Sequence, residues 1–218
     1  MYQIVFFDLD GTLTDSGLGI TNSVAYALSK WNIHVEDRTS LNKFVGPPLE
    51  AAFSEHYGFT REESHRALLY YREYFCEKGM FENQVYEGIT ELLAHLKATG
   101  RTVILATSKP EEYAVQILEH FGLLSYFDQV AGASMDEVRV KKSDVIAYAL
   151  ERGGITDLSR AVMVGDRDND MHGAADNGLA SIGVLYGYGS QEELEEAGAD
   201  QLAETVEDLK RCLDGEVL

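Results

Sequence analysis

The stretch IVFFDLDGT at residues 4–12 decides the fold. It begins with four consecutive apolar residues and continues into two acids, Asp8 and Asp10, followed by Gly11. A short apolar run that stops at acids and a glycine is typical of a strand buried on both faces of a parallel sheet. We therefore predict the first strand at residues 4–7, with polar side chains at its carboxyl end.

Four further apolar runs have the same character. They cover residues 103–106, 129–131, 161–164 and 181–185. Helical patterns lie between most of them: GITELLAHLKATG, PEEYAVQILEHFG, KSDVIAYALERGG and DMHGAADNG. Several of these patterns end on a glycine, which is a common helix stop. Because strands and helices alternate, the sequence predicts an α/β fold: a doubly wound, mostly parallel sheet with right-handed crossovers.

A helical insert interrupts this alternation. Residues 16–82 show helical periodicity and no convincing strand, with an apolar stripe from Ile20 to Trp31 and a long amphipathic pattern in TREESHRALLYYREYFCEKG. We therefore predict two domains, an α/β core from residues 1–15 and 83–218 and a small helical domain inserted after the first strand.

Composition limits the partners of the protein. The chain has 218 residues and a formal net charge of −19, which repels phosphate polymers and anionic lipids, so we expect no nucleic acid and no membrane partner. Cys76 and Cys212 lack metal-ligand spacing, which favours a reducing compartment over a disulfide framework. The start MYQIVFFDLDGT has no basic segment, and its apolar run is broken by acids, so we expect no signal peptide. A cytoplasmic protein is the expectation, with a monomer and a homodimer both open.

Polar residues follow three of the predicted strands, where open α/β sheets bind their ligands. They are Asp8, Asp10, Gly11 and Thr12; Thr107, Ser108 and Lys109; and Gly165, Asp166 and Asp170. Two carboxylates at positions i and i+2 repel each other unless a cation or proton intervenes. Magnesium suits such a site because it prefers oxygen ligands and is typically shared between carboxylates and a substrate phosphate. The predicted ligands are the side chains of Asp8 and Asp166 and the backbone carbonyl of Asp10.

Four motifs occur in order along the chain: DLDGT, TSKP, a lysine in KKSD, and GDRDND. This pattern resembles that of the haloacid dehalogenase-like phosphohydrolases. The helical insert resembles the mobile cap of subclass I members, and LNKFVGPPL, VYEGITELLAHL and GVLYGYGSQEEL are similar to bacterial phosphoglycolate phosphatase-like proteins, including a branch described as 5′-nucleotidases. The resemblance implies a magnesium-dependent phosphatase with a cap that closes over a small-molecule phosphate ester. Phosphoglycolate and a nucleoside monophosphate are the leading expected substrates.

The resemblance also assigns the reacting groups. Asp8 would be the nucleophile that forms an aspartyl-phosphate. Asp10 would protonate the leaving oxygen and then activate the water that hydrolyses the intermediate. Thr107, backed by Ser108, would bind the substrate phosphate where a strand meets a helix.

The remaining motif residues would support these groups. Gly11, placed with the substrate-binding residues, would allow a turn that no side chain could follow, and Thr12 would support the loop. A lysine would supply positive charge to the transferring phosphoryl group. Lys142 is preferred over Lys141 because K-x-x-V-I opening a helix looks like the nearest branch, but no proline follows it, and the choice stays open. Asp170 would position this lysine and water on the metal.

Two other functions remain open from the sequence. A phosphomutase of the β-phosphoglucomutase type would use the same Asp8 chemistry and return the phosphoryl group to a sugar. A regulatory protein of this fold without turnover would usually have lost Asp8, Asp10 or Asp166, and all three are intact. Arg167 and Asp168, between the matched acids, are interpreted as loop or structural residues, with a metal contact left open.

Overall fold

The computed structural model describes residues 1–136 and 138–216. The chain divides into two compact units: Met1–Thr14 with Val85–Leu218, called here the core unit, and Asp15–Gln84, called the helical unit. The domain boundaries expected from the sequence differ from these by one residue at the first crossing and two at the second. In the described part of the chain, no helix is long and apolar enough to span a bilayer.

The described residues contain eight strands, numbered in chain order. They are β1 Ile4–Phe7, β2 Thr14–Asp15, β3 Gln84–Val85, β4 Thr102–Pro110, β5 Gln129–Ala133, β6 Ala161–Gly165, β7 Ala180–Val184 and β8 Gln201–Ala203. The α-helices of the same residues are α1 Gly17–Ser29, α2 Leu49–Tyr57, α3 Arg61–Glu77, α4 Ile89–Ala98, α5 Glu111–His120, α6 Lys142–Gly153, α7 Asp168–Asp176, α8 Gln191–Glu196 and α9 Val206–Asp214. Short 3-10 helices occur at Arg38–Phe44, Gly79–Phe81 and Leu124–Tyr126.

Six strands form one sheet in the order β5-β4-β1-β6-β7-β8, and each neighbouring pair is parallel. Strand β1 lies between β4 and β6, with Phe7 level with Leu105 on one side and Val164 on the other. The strand order therefore reverses at β1, which is the position where doubly wound sheets bind ligands. The predicted fold class is confirmed.

The five predicted strands correspond to β1, β4, β5, β6 and β7. Strand β4 extends beyond the predicted run, because its pairing with β5 resumes at Pro110 after an irregularity that follows Thr107. The sequence reading missed β8, whose three residues QLA lie in an acidic stretch and form no apolar run. A strand this short carries too little pattern to be recognised.

The apolar run of β1 is covered on both faces of the sheet. Phe6 packs in a buried cluster with Ile104 and Met163 of the neighbouring strands and with Val145 of α6. Side chains alternate between faces along a strand, and Phe7, which points to the opposite face, is also fully buried. This burial explains why the run contains no polar residue before Asp8.

The helical unit has its own packing. Helix α1 contacts α3, and Gly19 approaches the backbone of Gly79 so closely that a side chain at Gly19 would overlap the Gly79 carbonyl. Helix α3 matches the long amphipathic pattern predicted from the sequence. It begins with a capping box, in which the Thr60 hydroxyl accepts the Glu63 N–H and the Glu63 carboxylate accepts the Thr60 N–H.

Candidate active site

Asp8 lies at the carboxyl end of the central strand. Its backbone N–H donates to the Val164 carbonyl of β6 at 2.9 Å, so Asp8 continues the strand pairing by one residue. Because Phe7 is level with both Leu105 and Val164, the residues that follow these three positions meet at one edge of the sheet. The site was predicted from the sequence to lie at this edge.

Three carboxylates gather at this edge and are called here the acid group. Asp8, Asp166 and Asp170 are buried, and each offers an oxygen within 4.8 Å of the other two. Asp170 reaches the edge from the first turn of α7, where its carboxylate accepts the Arg167 N–H at 3.1 Å. Gly165 packs against the Asp170 carboxyl without room for a side chain. The local backbone therefore fixes this acid.

A buried lysine joins the acid group. The Lys142 ammonium lies 2.7 Å from Asp8 Oδ1 and 2.8 Å from Asp170 Oδ1, and it donates to the Ala106 carbonyl at 2.9 Å. The side chain is only 1% exposed. Lys141, the alternative from the sequence, is exposed and precedes the helix as its N-cap. The structure thus brings Lys142, and not Lys141, to the candidate nucleophile.

Burial and mutual repulsion alter the protonation of this group. Burial, followed by the charges of Asp170 and Asp8, raises the pKa of Asp166 well above its usual range. Burial raises the pKa of Asp170 to about 6; Lys142 opposes this shift and Asp8 adds to it. Burial alone would lower the pKa of Lys142, but the neighbouring Asp170 and Asp8 reverse the effect and raise it. Burial is therefore the main reason that Asp166 and Asp170 hold their protons more tightly, and a bound cation would favour their ionised forms.

The acid group fits a divalent cation. Its three carboxylates and one ammonium leave two negative charges when all are ionised, and carboxylate oxygens are the ligands that Mg²⁺ prefers. Asp10 was predicted to bind the metal through its backbone carbonyl, and its side chain lies outside the acid group. Asp170, predicted to act behind the ligands, both belongs to the group and contacts Lys142.

The loop after β1 packs directly on Asp166. The Thr12 hydroxyl donates to Asp166 Oδ1 at 3.3 Å. Gly11 has a φ of +83° and faces the Asp166 carboxyl so closely that a Cβ would overlap it. Glycine is needed at this position both for the left-handed backbone and for the close approach. Gly11 and Thr12 therefore hold Asp166 in place.

A second loop, at residues 186–189, packs on the same acid. The Tyr188 N–H donates to Asp166 Oδ2 at 2.8 Å, and neither Gly187 nor Gly189 has room for a side chain beside Asp166. The Tyr186 hydroxyl donates to the Thr12 carbonyl at 3.1 Å. The sequence reading did not place these residues in the site. The signal it could have used is the glycine-rich segment YGYGS directly after β7.

Thr107 and Ser108 lie at the end of the regular part of β4. Thr107 is buried, and its hydroxyl oxygen accepts the Lys109 N–H at 3.2 Å. The hydroxyl of Ser108 is buried and makes no hydrogen bond to any residue that the structure describes. A buried hydroxyl without a partner costs free energy that a bound water or ligand can recover. Ser108 is therefore suited to contact a polar ligand.

Asp10 pairs with a second lysine. The Lys109 ammonium lies 3.0 Å from Asp10 Oδ2, and both side chains are less than a tenth exposed. The sequence reading counted Lys109 among the strand-end residues without giving it a role. The site therefore holds two buried lysines that contact different aspartates, Lys142 at Asp8 and Asp170 and Lys109 at Asp10.

Residues 5–184 match the family described as haloacid dehalogenase-like hydrolase. The chain belongs to this family. The matched range includes both lysines that contact site acids, and it includes Asp8, Asp10, Asp166 and Asp170. The identification made from the four motifs is confirmed.

Named relatives lie within this family. A protein named 5′-nucleotidase from Pseudomonas aeruginosa is 42% identical over 193 residues, which cover 88% of this chain and 87% of the relative. A protein named tyrosine-protein kinase PtkA from Mycobacterium tuberculosis is 39% identical over 215 residues, which cover 97% of this chain and 72% of the relative. The crystal structure of a predicted phosphatase from Clostridium acetobutylicum is 52% identical, with a TM-score of 0.95 and 98% of each chain covered. The prediction of a phosphatase is confirmed.

In this haloacid dehalogenase-like hydrolase, Arg167 and Asp168 serve the packing around the site. The Arg167 guanidinium Nε lies 2.7 Å from Glu193 Oε1, and the Asp168 N–H donates to the same oxygen at 3.0 Å. Glu193 belongs to α8, so these contacts join α7 to α8. The contacts fit a structural role for both residues, which stays an interpretation.

Proposed function

We propose that the protein is a magnesium-dependent phosphomonoesterase that hydrolyses a small phosphorylated metabolite through an aspartyl-phosphate on Asp8. The observation that carries this proposal is the buried acid group, with Lys142 in contact with Asp8 and Asp170. Three carboxylates at the point where the strand order reverses favour a cation, while the Lys142 ammonium and the Ser108 hydroxyl suit an anionic ligand. A phosphate ester with Mg²⁺ meets both needs.

Asp8 and Asp166 would hold the magnesium ion with their side chains, together with the backbone carbonyl of Asp10. When bound, the ion would offset the negative charges of the nucleophile and of the substrate phosphate, which otherwise repel each other. Thr12, Gly11 and the Tyr188 N–H restrict the Asp166 carboxylate to one orientation. A ligand held in this way needs little rearrangement when the cation binds.

In the first half of the reaction, Asp8 attacks phosphorus. The bond from Asp8 to phosphorus forms as the ester P–O bond breaks, and the leaving oxygen takes a proton from Asp10. Lys142, already 2.7 Å from Asp8, supplies positive charge beside the transferring phosphoryl group. Thr107 and Ser108 contribute hydroxyls to the phosphate from the end of β4.

In the second half, water attacks the aspartyl-phosphate. The bond between Asp8 and phosphorus breaks, and the Asp10 carboxylate takes the proton from the water. The enzyme then returns to its starting state with inorganic phosphate as the product. Asp10 therefore needs one carboxylate oxygen that is free to exchange a proton.

A nucleoside 5′-monophosphate is the first substrate to test, because the relative with 42% identity is named a 5′-nucleotidase. Phosphoglycolate is the second, from the resemblance in the sequence. The test is phosphate release by the purified protein with Mg²⁺ across nucleoside monophosphates, phosphoglycolate, sugar phosphates and pyrophosphate. We expect turnover of one of the first two classes, and Asp10→Asn should bind the same substrate with little turnover.

Other outcomes of this screen would contradict the proposal. Isomerised sugar phosphate with little free phosphate would indicate a phosphomutase. Because one relative is named a tyrosine kinase, the panel includes ATP with a readout of phosphotyrosine. Transfer to tyrosine without hydrolysis of any ester would replace the phosphatase. Unchanged turnover in Asp10→Asn would remove the acid/base role.

A further inference from the structure

We propose that Lys109 is a positioning residue that holds the acid/base Asp10 by one carboxylate oxygen and leaves the other for proton transfer. The proposal rests on the proposed function, because it assigns a role to a neighbour of Asp10 in the same site. The two buried lysines would then have different roles: Lys142 contacts the nucleophile Asp8, and Lys109 contacts the acid/base Asp10.

The two oxygens of Asp10 have different surroundings. Oδ2 lies 3.0 Å from the Lys109 ammonium, and the two side chains are 9% and 6% exposed. Oδ1 is buried and accepts no hydrogen bond from any residue that the structure describes. An acid that must give and take a proton needs one such oxygen, while contact at the other fixes the orientation of the carboxylate.

The backbone around Lys109 is itself held in place. Its N–H donates to the Thr107 hydroxyl, in the segment where the pairing of β4 with β5 is irregular. Gly132 of β5 packs against this turn, and a Cβ there would lie 2.7 Å from the Lys109 carbonyl and 2.6 Å from Glu111. The Gly132 N–H also donates to the Glu111 carboxylate at 3.3 Å. The lysine therefore extends from a fixed point toward Asp10.

The two lysines contact different acids. Lys142 contacts Asp8, Asp170 and the Ala106 carbonyl. Lys109 contacts Asp10, which lies outside the acid group. Loss of Lys109 should therefore slow phosphoryl transfer only where the leaving oxygen needs a proton from Asp10, and it should leave the contacts of Asp8 with Lys142 in place.

The test is Lys109→Met, which keeps length and removes charge. In single-turnover rapid-quench experiments with Mg²⁺, phosphoryl transfer from an alkyl phosphate should slow by about 10- to 100-fold, the loss typical of a misplaced catalytic group. With p-nitrophenyl phosphate, whose leaving group departs without a proton, the same step should slow by less than about 3-fold, because general acid catalysis contributes little there. Substrate KM should change little in both cases.

Three companion variants sharpen the result. On an Asp10→Asn background, Lys109→Met should lower the rate of phosphoryl transfer almost no further, since substitutions of residues that act as a unit do not have additive effects. Lys109→Arg should recover part of the rate on the alkyl ester. Lys97→Met removes a lysine–aspartate contact that involves none of the site residues, at Asp128, and should leave turnover unchanged.

Several outcomes would overturn the inference. A raised KM with unchanged phosphoryl transfer would mean that Lys109 binds substrate, and equal losses on the two esters or additive losses with Asp10→Asn would mean that it does not act through Asp10. Thermal melting of each variant shows whether it is folded. An inactive wild-type protein would instead sink the proposed function, whereas an active wild type with an unaffected Lys109→Met would sink the positioning role alone.

Discussion

The two ends of the core sheet carry buried charge in opposite ways. At the amino end, just before β4, the fully buried Arg101 pairs with Asp214, which also contacts His95 at 3.1 Å and Lys210 at 3.3 Å. One carboxylate there has three basic partners. At the carboxyl end, three carboxylates lie together and Lys142 contacts two of them, Asp8 and Asp170.

The pKa values show what this difference means. Burial alone would raise the pKa of Asp214, but hydrogen bonds from His95, Arg101 and Lys210 lower it to about 2. The pKa of Asp170 is instead raised to about 6. The amino end is therefore stabilised by its charges within the protein, while the carboxyl end holds buried carboxylates whose ionised forms a bound cation can stabilise. Active sites commonly carry such unfavourable arrangements at the expense of stability.

Asp8→Asn, at the carboxyl end, should have the largest effect on activity of the variants considered. Removing the proposed nucleophile should lower kcat by on the order of 10⁴-fold or more. The same change removes one of three repelling charges, so the metal-free variant should melt at the same temperature as the wild type or higher. Phosphate release and thermal melting in EDTA measure the two quantities. A variant that lost activity together with stability would show that Asp8 supports the fold.

Asp214→Ala should have the reverse effect at the amino end. It leaves the Arg101 guanidinium buried without its carboxylate, which should cost about 3 kcal/mol in the free energy of unfolding. Turnover per folded molecule should not change. Urea unfolding and active-site-normalised rates check both expectations.

The matched control is Glu216→Ala, in the segment that follows the same helix. Glu216 pairs with Arg211 at 3.0 Å, but both side chains are largely exposed. Water and salt screen such a pair, so no measurable loss of stability is expected. Equal losses in the two variants would mean that burial of Arg101 is not what makes the amino end stable.

This contrast was only partly visible in the sequence. The acids at the carboxyl edge could be predicted because each follows an apolar run, and the register of a parallel sheet brings strand ends together. Lys142 could not be separated from Lys141 because a one-residue change in helix phase decides which side chain is buried. The contact between Arg101 and Asp214 depends on how α9 packs, over a sequence separation of 113 residues.

Lys109 and Tyr186 were missed for a related reason. The direction of the Lys109 side chain follows from an irregular pairing of β4 and β5, and no local pattern encodes it. Tyr186 reaches a carbonyl 174 residues away. Periodicity reports burial and secondary structure, but not which buried polar group finds which partner.

Magnesium and pH should act on the carboxyl end together. The folded-state pKa of Asp170, about 6, lies above the usual value for an unfolded chain, so the folded protein binds the proton more tightly. In EDTA, stability should therefore fall as pH rises from about 4 through about 6, and Asp166 should act in the same direction. Thermal melts across this range measure the slope.

Added Mg²⁺ should reverse this trend at neutral pH, because the cation binds ionised carboxylates. At ten times its Kd it should stabilise the folded state by about 1.4 kcal/mol. Asp170→Asn should reduce the pH slope, which identifies this acid as the source of the trend. A metal-free protein that becomes more stable as pH rises from 5 to 7 would contradict the raised pKa values.

Tyr186→Phe should have the smallest effect and tests how the carboxyl end is kept in place. Burial and the charge of Asp166 raise the pKa of Tyr186, so its hydroxyl remains a donor to the Thr12 carbonyl. Losing this hydrogen bond should cost about 1 kcal/mol in urea unfolding. Thr12 in turn donates to Asp166, so Mg²⁺ affinity should weaken slightly while kcat at saturating Mg²⁺ stays close to that of the wild type. A large loss of kcat that excess Mg²⁺ does not restore would mean that Tyr186 takes part in the chemistry and does more than hold Thr12 and Asp166 in place.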